Sequence, residues 1–155
     1  LEAVSELNES GQNLQLILIL TSNIDEIKDK IIKRFGSIPA WLHLLPPRND
    51  ITSYYRLCDA FLAPSRSEGL PYSVLEASYL KLPVVLSDIP AHKNLNLPCG
   101  FYFKSENVGQ LKESMTSALY GAYDSDSFAA QSEQIKNEYQ LSAWADRIIR
   151  IYTKL

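Results

Sequence analysis

Two carboxylates eight positions apart, Glu68 and Glu76, are the residues whose types and spacing point most directly to chemistry in this 155-residue chain. They stand in Pro64-Ser65-Arg66-Ser67-Glu68-Gly69-Leu70-Pro71-Tyr72-Ser73-Val74-Leu75-Glu76-Ala77. Pro71 suits the first turn of a helix, because its missing N–H would have no partner there. The pattern therefore predicts Glu68 in a loop just before a helix and Glu76 in that helix's second turn. Unpaired N–H groups at a helix start favour anionic oxygens, and Gly69 lets backbone approach a ligand closely. Carboxylates accept hydrogen bonds from hydroxyls in pairs, as vicinal diols offer them. A ligand that is polyhydroxylated at both ends and anionic in the middle, such as a nucleotide diphosphate sugar, fits that layout. Spacing alone leaves a plainer alternative open, since a loop Glu and a solvated helix Glu are the commonest fates of this residue.

Other polar candidates are weaker. Arg66 and Arg48 lie in loops at strand ends, where they can meet phosphate, although arginine is more often a surface residue. His92 stands on the same footing. Tyr54, Tyr55, Tyr72 and Tyr79 could line a sugar site, but aromatic residues at helical spacing are mostly packing, which is the expectation here. Cys58 and Cys99 are far apart without metal-ligand spacing and are read as buried thiols in a reducing compartment, the cytosol. No metal cluster is expected.

The elements that must position these residues alternate in type. Leu14–Leu20 is apolar almost throughout, as a central parallel strand covered on both faces would be. Asn23 precedes Glu26 at capping-box spacing, and Ile24, Ile27, Ile31 and Phe35 mark a helix closed by Gly36 and Pro39. Residues 41–45 form a second strand stopped by Pro46-Pro47, and Asp50 or Thr52 caps a helix through Tyr54, Tyr55 and Leu57. Residues 60–64 and 84–86 supply two more strands on either side of the Glu76 helix, and residues 100–103 a short edge strand. Val108, Leu111, Met115, Ala118 and Leu119 keep a helical period. Leu141, Trp144, Ala145, Ile148 and Tyr152 give the last helix an apolar stripe opposite Arg147 and Arg150. The fold class predicted is α/β, a doubly wound, Rossmann-like parallel sheet with right-handed crossovers, whose ligands bind beyond the carboxyl ends of the strands.

Composition sets bounds. Residues 1–155 read as one domain, with 46% hydrophobic and 21% charged residues as in ordinary globular proteins. A net charge of -3 offers no basic field for a phosphate backbone, so nucleic acid is not expected as a partner. The longest apolar run, Leu16–Leu20, is far short of the roughly 20 residues that a membrane helix needs. Val4 and Leu7 read as the end of a helix begun upstream, and the chain as a shortened one.

The stretch Pro64-Ser65-x-x-Glu68-Gly69-Leu70-Pro71 through Leu75-Glu76-Ala77, then Pro83-Val84-Val85-Leu86-Ser87-Asp88, resembles the signature of family 4 (group 1) retaining glycosyltransferases. More narrowly, it is similar to the C-terminal, donor-binding half of their GT-B fold. Glu68 and Glu76 match the family's E-x7-E pair. Asp50, Tyr55, Cys58-Asp59-Ala60, Gly100-Phe101 and Leu111 fall where that family has matching positions. The resemblance implies that Glu76 binds the ribose hydroxyls and that Glu68, the catalytic candidate, reaches the donor sugar. Amides around Gly69, Leu70 and Pro71 would hold sugar and phosphate oxygens, and Arg66 and Arg48 would be further donor contacts. It further implies transfer with retention at the anomeric carbon, without a cofactor or bound metal, the departing diphosphate being stabilised by positive charge and amide dipoles. The donor that the resemblance implies is a nucleotide diphosphate sugar, a UDP-sugar as first choice. The acceptor, a saccharide or a lipid-linked one in polysaccharide or glycolipid synthesis, would belong to an N-terminal domain outside this chain. Location at the cytoplasmic side follows, and peripheral association with the inner face of a membrane is allowed.

The chain also departs from that family. Pro46-Pro47 replaces a usual glycine near the base, and Asn94 follows His92-Lys93 where a glutamate is common. The basic residues used against the diphosphate would lie upstream of Leu1, so the chain alone is expected to transfer no sugar. Two other functions fit the residues: a non-catalytic nucleotide-sugar-binding module and half of a nucleotide-sugar epimerase of related fold. A dinucleotide dehydrogenase is set aside because no G-x-G-x-x-G occurs, and a serine or cysteine hydrolase because His43 and His92 have no nucleophile-elbow partner.

Overall fold

The computed structural model describes residues 1–153. Contacts divide the chain into two compact units, Leu1–Thr52 and Ser53 onward. In the first, α1 (Glu2–Glu9) precedes β1 (Leu16–Ile19), α2 (Ile24–Phe35) and β2 (Leu42–Leu45). Buried Leu7 lies one helical turn after the adjacent buried pair Ala3 and Val4 on α1, as an amphipathic helix requires. Asn8 clamps the chain entering β1: its Nδ2 donates to Leu14 O at 3.0 Å and its Oδ1 accepts from Leu14 N at 2.7 Å. β1 pairs with β2 in parallel, Leu16 opposite Leu42 through Ile19 opposite Leu45.

Two expectations fail in this unit. β1 is half-buried along its length rather than covered on both faces. Asn23 does not cap α2: it sits in left-handed backbone at φ 56° and its side chain bonds nothing at the helix start. A capping residue needs extended backbone to turn its side chain onto the first-turn amides, and left-handed geometry forbids it. Glu26 instead pairs with Lys30 at 2.6 Å, and that hydrogen bond holds its carboxyl below the usual range. Gly36 closes the helix as expected, left-handed at φ 79°, its N–H donating to Ile32 O.

The second unit holds α3 (Ile51–Leu57, entered from the end of the first unit), β3 (Phe61–Ala63), α4 (Tyr72–Tyr79), β4 (Val84–Ser87), α5 (Pro90–Lys93) and β5 (Gly100–Phe103). Three helices follow: α6 (Val108–Tyr120), α7 (Ser125–Tyr139) and α8 (Leu141–Tyr152). Its sheet is parallel in the order β3-β4-β5, with Ala63 opposite Leu86 and Ser87 opposite Phe103, so β5 is an edge as predicted. β4 is the strand covered on both faces: Val84, Leu86 and Ser87 are fully buried and Val85 is 1% exposed. All strand pairs are parallel and separated by helices, which is the α/β class expected.

The helix carrying Glu76 begins one residue later than expected. Pro71 stands just outside α4, and its carbonyl accepts from Val74 N and Leu75 N at 3.0 and 3.2 Å. Asn107 caps α6 by accepting from Gln110 N at 2.9 Å. The short α5 and all of α7 were not expected. α7 packs on α4, with Ser132 Oγ donating to Tyr79 O at 2.6 Å. α8 buries none of its residues: Leu141 is 78% exposed and Trp144 54%.

Candidate functional site

The segment after β3 rises from the carboxyl end of the sheet, where parallel α/β folds hold ligands. Ser65 Oγ donates to Glu68 Oε1 at 2.7 Å, which fixes an otherwise exposed carboxylate one turn before α4. Gly69 has no positive φ, and a side-chain carbon placed there would meet nothing within 4 Å. The fold itself does not require glycine at that position. Leu70 is exposed and Pro71 buried.

Glu76, in the second turn of α4, is held from a distant element. The Tyr55 hydroxyl on α3 donates to Glu76 Oε2 at 3.1 Å and lies 3.3 Å from Ser73 O. Tyr55 is 7% exposed and meets the Phe61 ring edge-on at 5.6 Å, so its hydroxyl is aimed by packing. The tyrosine thus pins one carboxylate oxygen while the exposed carboxylate keeps acceptor capacity for a diol. Burial, reinforced by the Glu76 carboxylate, pushes the Tyr55 phenol well above its ordinary range.

That shift has a sign that can be checked. An unfolded chain loses the Tyr55 proton near the ordinary value of about 10, whereas the folded chain keeps it. The stabilisation is complete below that value and declines as pH rises from it toward the folded value. Burial raises Tyr102, Tyr123 and Tyr139 as well. Tyr55→Phe is therefore expected to make the decline in unfolding free energy above pH ~10 shallower without removing it, as measured by urea titrations at several pH values. An unchanged slope would refute this reading of the phenol.

The two arginines are both engaged. Arg66 Nη2 lies 2.7 Å from Glu106 Oε1 on the loop after β5, and both side chains are exposed. Such pairs contribute only about 0–1 kcal/mol, so a doubly charged anion can displace the carboxylate. Arg48 lies in the first unit, where its Nε and Nη2 donate to the two Asp50 oxygens at 3.0 and 3.3 Å. That contact holds the Asp50 carboxyl below the usual range.

Several expectations are corrected here. His92 is fully buried and cannot meet a ligand from solvent. Tyr72 and Tyr79 are 68% and 47% exposed rather than packed. Cys58 and Cys99 are free and half-buried rather than buried, and burial pushes both thiols up. Ser87 was overlooked: its Oγ donates to Ser65 O at 2.5 Å, tying β4 to the Glu68 loop. A lone hydroxyl ending the buried strand Val84–Ser87 is the signal that could have found it, because a buried polar group must have a partner. Among the described residues no group of three His, Cys, Asp or Glu side chains could hold a metal ion, and no helix is long and apolar enough to cross a membrane.

Parallel strands, crossover helices and a carboxylate-bearing loop at the sheet's carboxyl end place the fold in the GT-B class. The chain superposes on the crystal structure of TarM with a TM-score of 0.73 at 15% identity, over 97% of this chain and 31% of that one. It superposes on WaaG, described as a glycosyltransferase involved in lipopolysaccharide biosynthesis, with a TM-score of 0.67 at 24% identity, over 90% and 38%. The chain belongs to the family Glycosyl transferases group 1, which it matches over residues 1–121. A relative from Campylobacter jejuni, N,N'-diacetylbacillosaminyl-diphospho-undecaprenol alpha-1,3-N-acetylgalactosaminyltransferase, is 29% identical over 116 residues, 74% of this chain and 31% of that protein. One from Escherichia coli, UDP-Gal:alpha-D-GlcNAc-diphosphoundecaprenol alpha-1,3-galactosyltransferase, is 31% identical over 99 residues, 63% of this chain and 24% of that protein. The chain thus spans less than a third of the length of these curated relatives.

Proposed function

We propose that residues 1–155 are the donor-binding domain of a retaining, family 4 glycosyltransferase and hold a nucleotide diphosphate sugar. The observation that carries this is the pair of exposed carboxylates on either side of the α4 start, each fixed by a hydroxyl: Glu68 by Ser65 and Glu76 by Tyr55. Glu76 takes the ribose diol and Glu68 the hydroxyls of the donor sugar. The amides of Gly69 and Leu70 and the guanidinium of Arg66 face the diphosphate. Catalysis rests on preorganised dipoles and charge rather than on a metal.

The acceptor is a saccharide on a lipid diphosphate, as the names of the two relatives support, and it is bound by a domain outside this chain. The exposed apolar stripe of α8 supports a partner for that helix beyond these residues. The working site is the cytoplasmic side of a membrane, by peripheral contact.

Calorimetric titration of the chain with UDP-galactose, UDP-N-acetylgalactosamine, GDP-mannose and the bare nucleotides tests the proposal. Binding of a UDP-sugar, tighter than UDP and without sugar transfer by the chain alone, is the expected result. Equal affinity for UDP and its sugars would identify a nucleotide-binding module instead, and binding of none would defeat both.

A further inference from the structure

Behind the Glu68 loop lies a buried polar chain that contacts no ligand under the reading above. His92 Nδ1, on α5, is 2.9 Å from Ser87 O and 3.2 Å from Ser87 Oγ. A carbonyl oxygen can only accept, so Nδ1 carries the proton and the hydrogen bond runs from the ring to Ser87. Ser87 Oγ then spends its single proton on Ser65 O, at 2.5 Å. The Ser65 hydroxyl, on the same residue, donates to Glu68 Oε1 at 2.7 Å. Donor and acceptor directions are therefore set in sequence from His92 to the Glu68 carboxylate.

The other ring nitrogen shows that packing does not explain the histidine. In this tautomer Nε2 is a bare acceptor, and it is buried with no hydrogen-bond partner among the described residues. An orphaned buried acceptor is destabilising, and an apolar ring of similar size would avoid it. What such a ring would lose is the Nδ1–H. Without that donor Ser87 Oγ still reaches Ser65 O, but its acceptor side is unpartnered and the hold of β4 on the loop loses one of its two anchors.

We infer that His92 and Ser87 are positioning residues that hold the Ser65–Glu68 loop in the orientation that reads the donor sugar. The loop-ordering part stands on geometry alone; the sugar-reading part rests on the proposal that Glu68 contacts the donor. The two are measured separately. Backbone amide order parameters of residues 65–70, from NMR relaxation, are compared in the wild type, His92→Phe, His92→Asn and Ser87→Ala. The order there is expected to fall from the rigid range, about 0.85, toward the flexible one, below about 0.6, in His92→Phe and Ser87→Ala, while β4 stays rigid. His92→Asn, which restores an N–H near Nδ1, is expected to recover most of it. Ser87→Ala serves as the test should His92→Phe fail to fold. Unchanged order parameters in residues 65–70 of a folded variant overturn the inference whatever the chain binds.

In the second measurement the ratio of UDP-galactose to UDP affinity is expected to fall toward one in His92→Phe, with UDP affinity kept within about twofold. A variant with a loosened loop and an unchanged ratio overturns the sugar-reading part. A wild-type chain that binds UDP with no preference for its sugar overturns that part together with the role of Glu68 in the donor site, leaving the ordering result to stand.

Discussion

Replacing Glu76 with alanine is expected to weaken UDP binding about 30- to 1,000-fold, a loss of roughly 2–4 kcal/mol. Hydrogen bonds to a charged acceptor each contribute about 1.5–3 kcal/mol, and a ribose diol offers two hydroxyls to one carboxylate. Two effects oppose this loss. Removing a negative charge eases repulsion of the diphosphate, but Glu76 is exposed and such repulsion is screened over about 8 Å at physiological salt. The variant also leaves the Tyr55 hydroxyl without its carboxylate, yet Ser73 O at 3.3 Å remains as an acceptor. Direct hydrogen bonds to the ligand therefore dominate, and the melting temperature should move by only a few degrees. Glu76→Gln, which keeps one acceptor oxygen, should fall between. Calorimetry on the three proteins checks the order, and equal affinities would remove Glu76 from the ribose.

Leu86→Ala is expected to cost about 2–5 kcal/mol of stability, the range for a leucine truncated in a packed core. Leu86 is fully buried in the central strand of its sheet, opposite Ala63 on one side and Tyr102 on the other. Strands on both sides keep the surroundings from collapsing into the space left, which places the cost toward the upper part of that range. For a unit of this size the loss lowers the melting temperature on the order of 10 °C or more. Leu141→Ala is the internal comparison: at 78% exposed it should stay within about 0.5 kcal/mol of the wild type. Denaturant titrations of both variants decide the matter, and equal costs would show that β4 is not the core of its sheet.

Strands were legible wherever apolar residues ran without interruption, as at Val84–Leu86, and helices wherever a period of three to four was carried by apolar residues, as in α2 and α6. α7 escaped because two of its buried positions are Gln131 and Ser132, which break the apolar period that marks a helix. Gln131 is buried because its Oε1 accepts from Cys99 N at 2.9 Å, a partner 32 residues away. α5 is a single turn, below the length at which periodicity exists. Asn23 misled for a related reason: capping spacing constrains which residue can cap but not the backbone angle that lets it.

The candidate site shows the same division. The eight-residue spacing and the loop-then-helix setting of Glu68 and Glu76 come from local sequence. Ser65, the partner of Glu68, is equally local, but that of Glu76 is not: Tyr55 lies 21 residues before it, and nothing short of the fold pairs them. Arg66 was legible as a loop cation at a strand end, but its bond to Glu106 depends on where β5 delivers its following loop.

The parallel register of β3 and β4 has one more consequence. It delivers Ser65 and Ser87 to the same rim, so the Glu68 loop is braced against the sheet, whereas Glu76 is braced by α3 through Tyr55. Under the proposed function, recognition of the two ends of one donor is divided between separately anchored stretches of polypeptide. On that proposal, a lineage built on this plan can exchange one monosaccharide for another by editing a few residues of a single turn, with the handle common to all such donors left undisturbed.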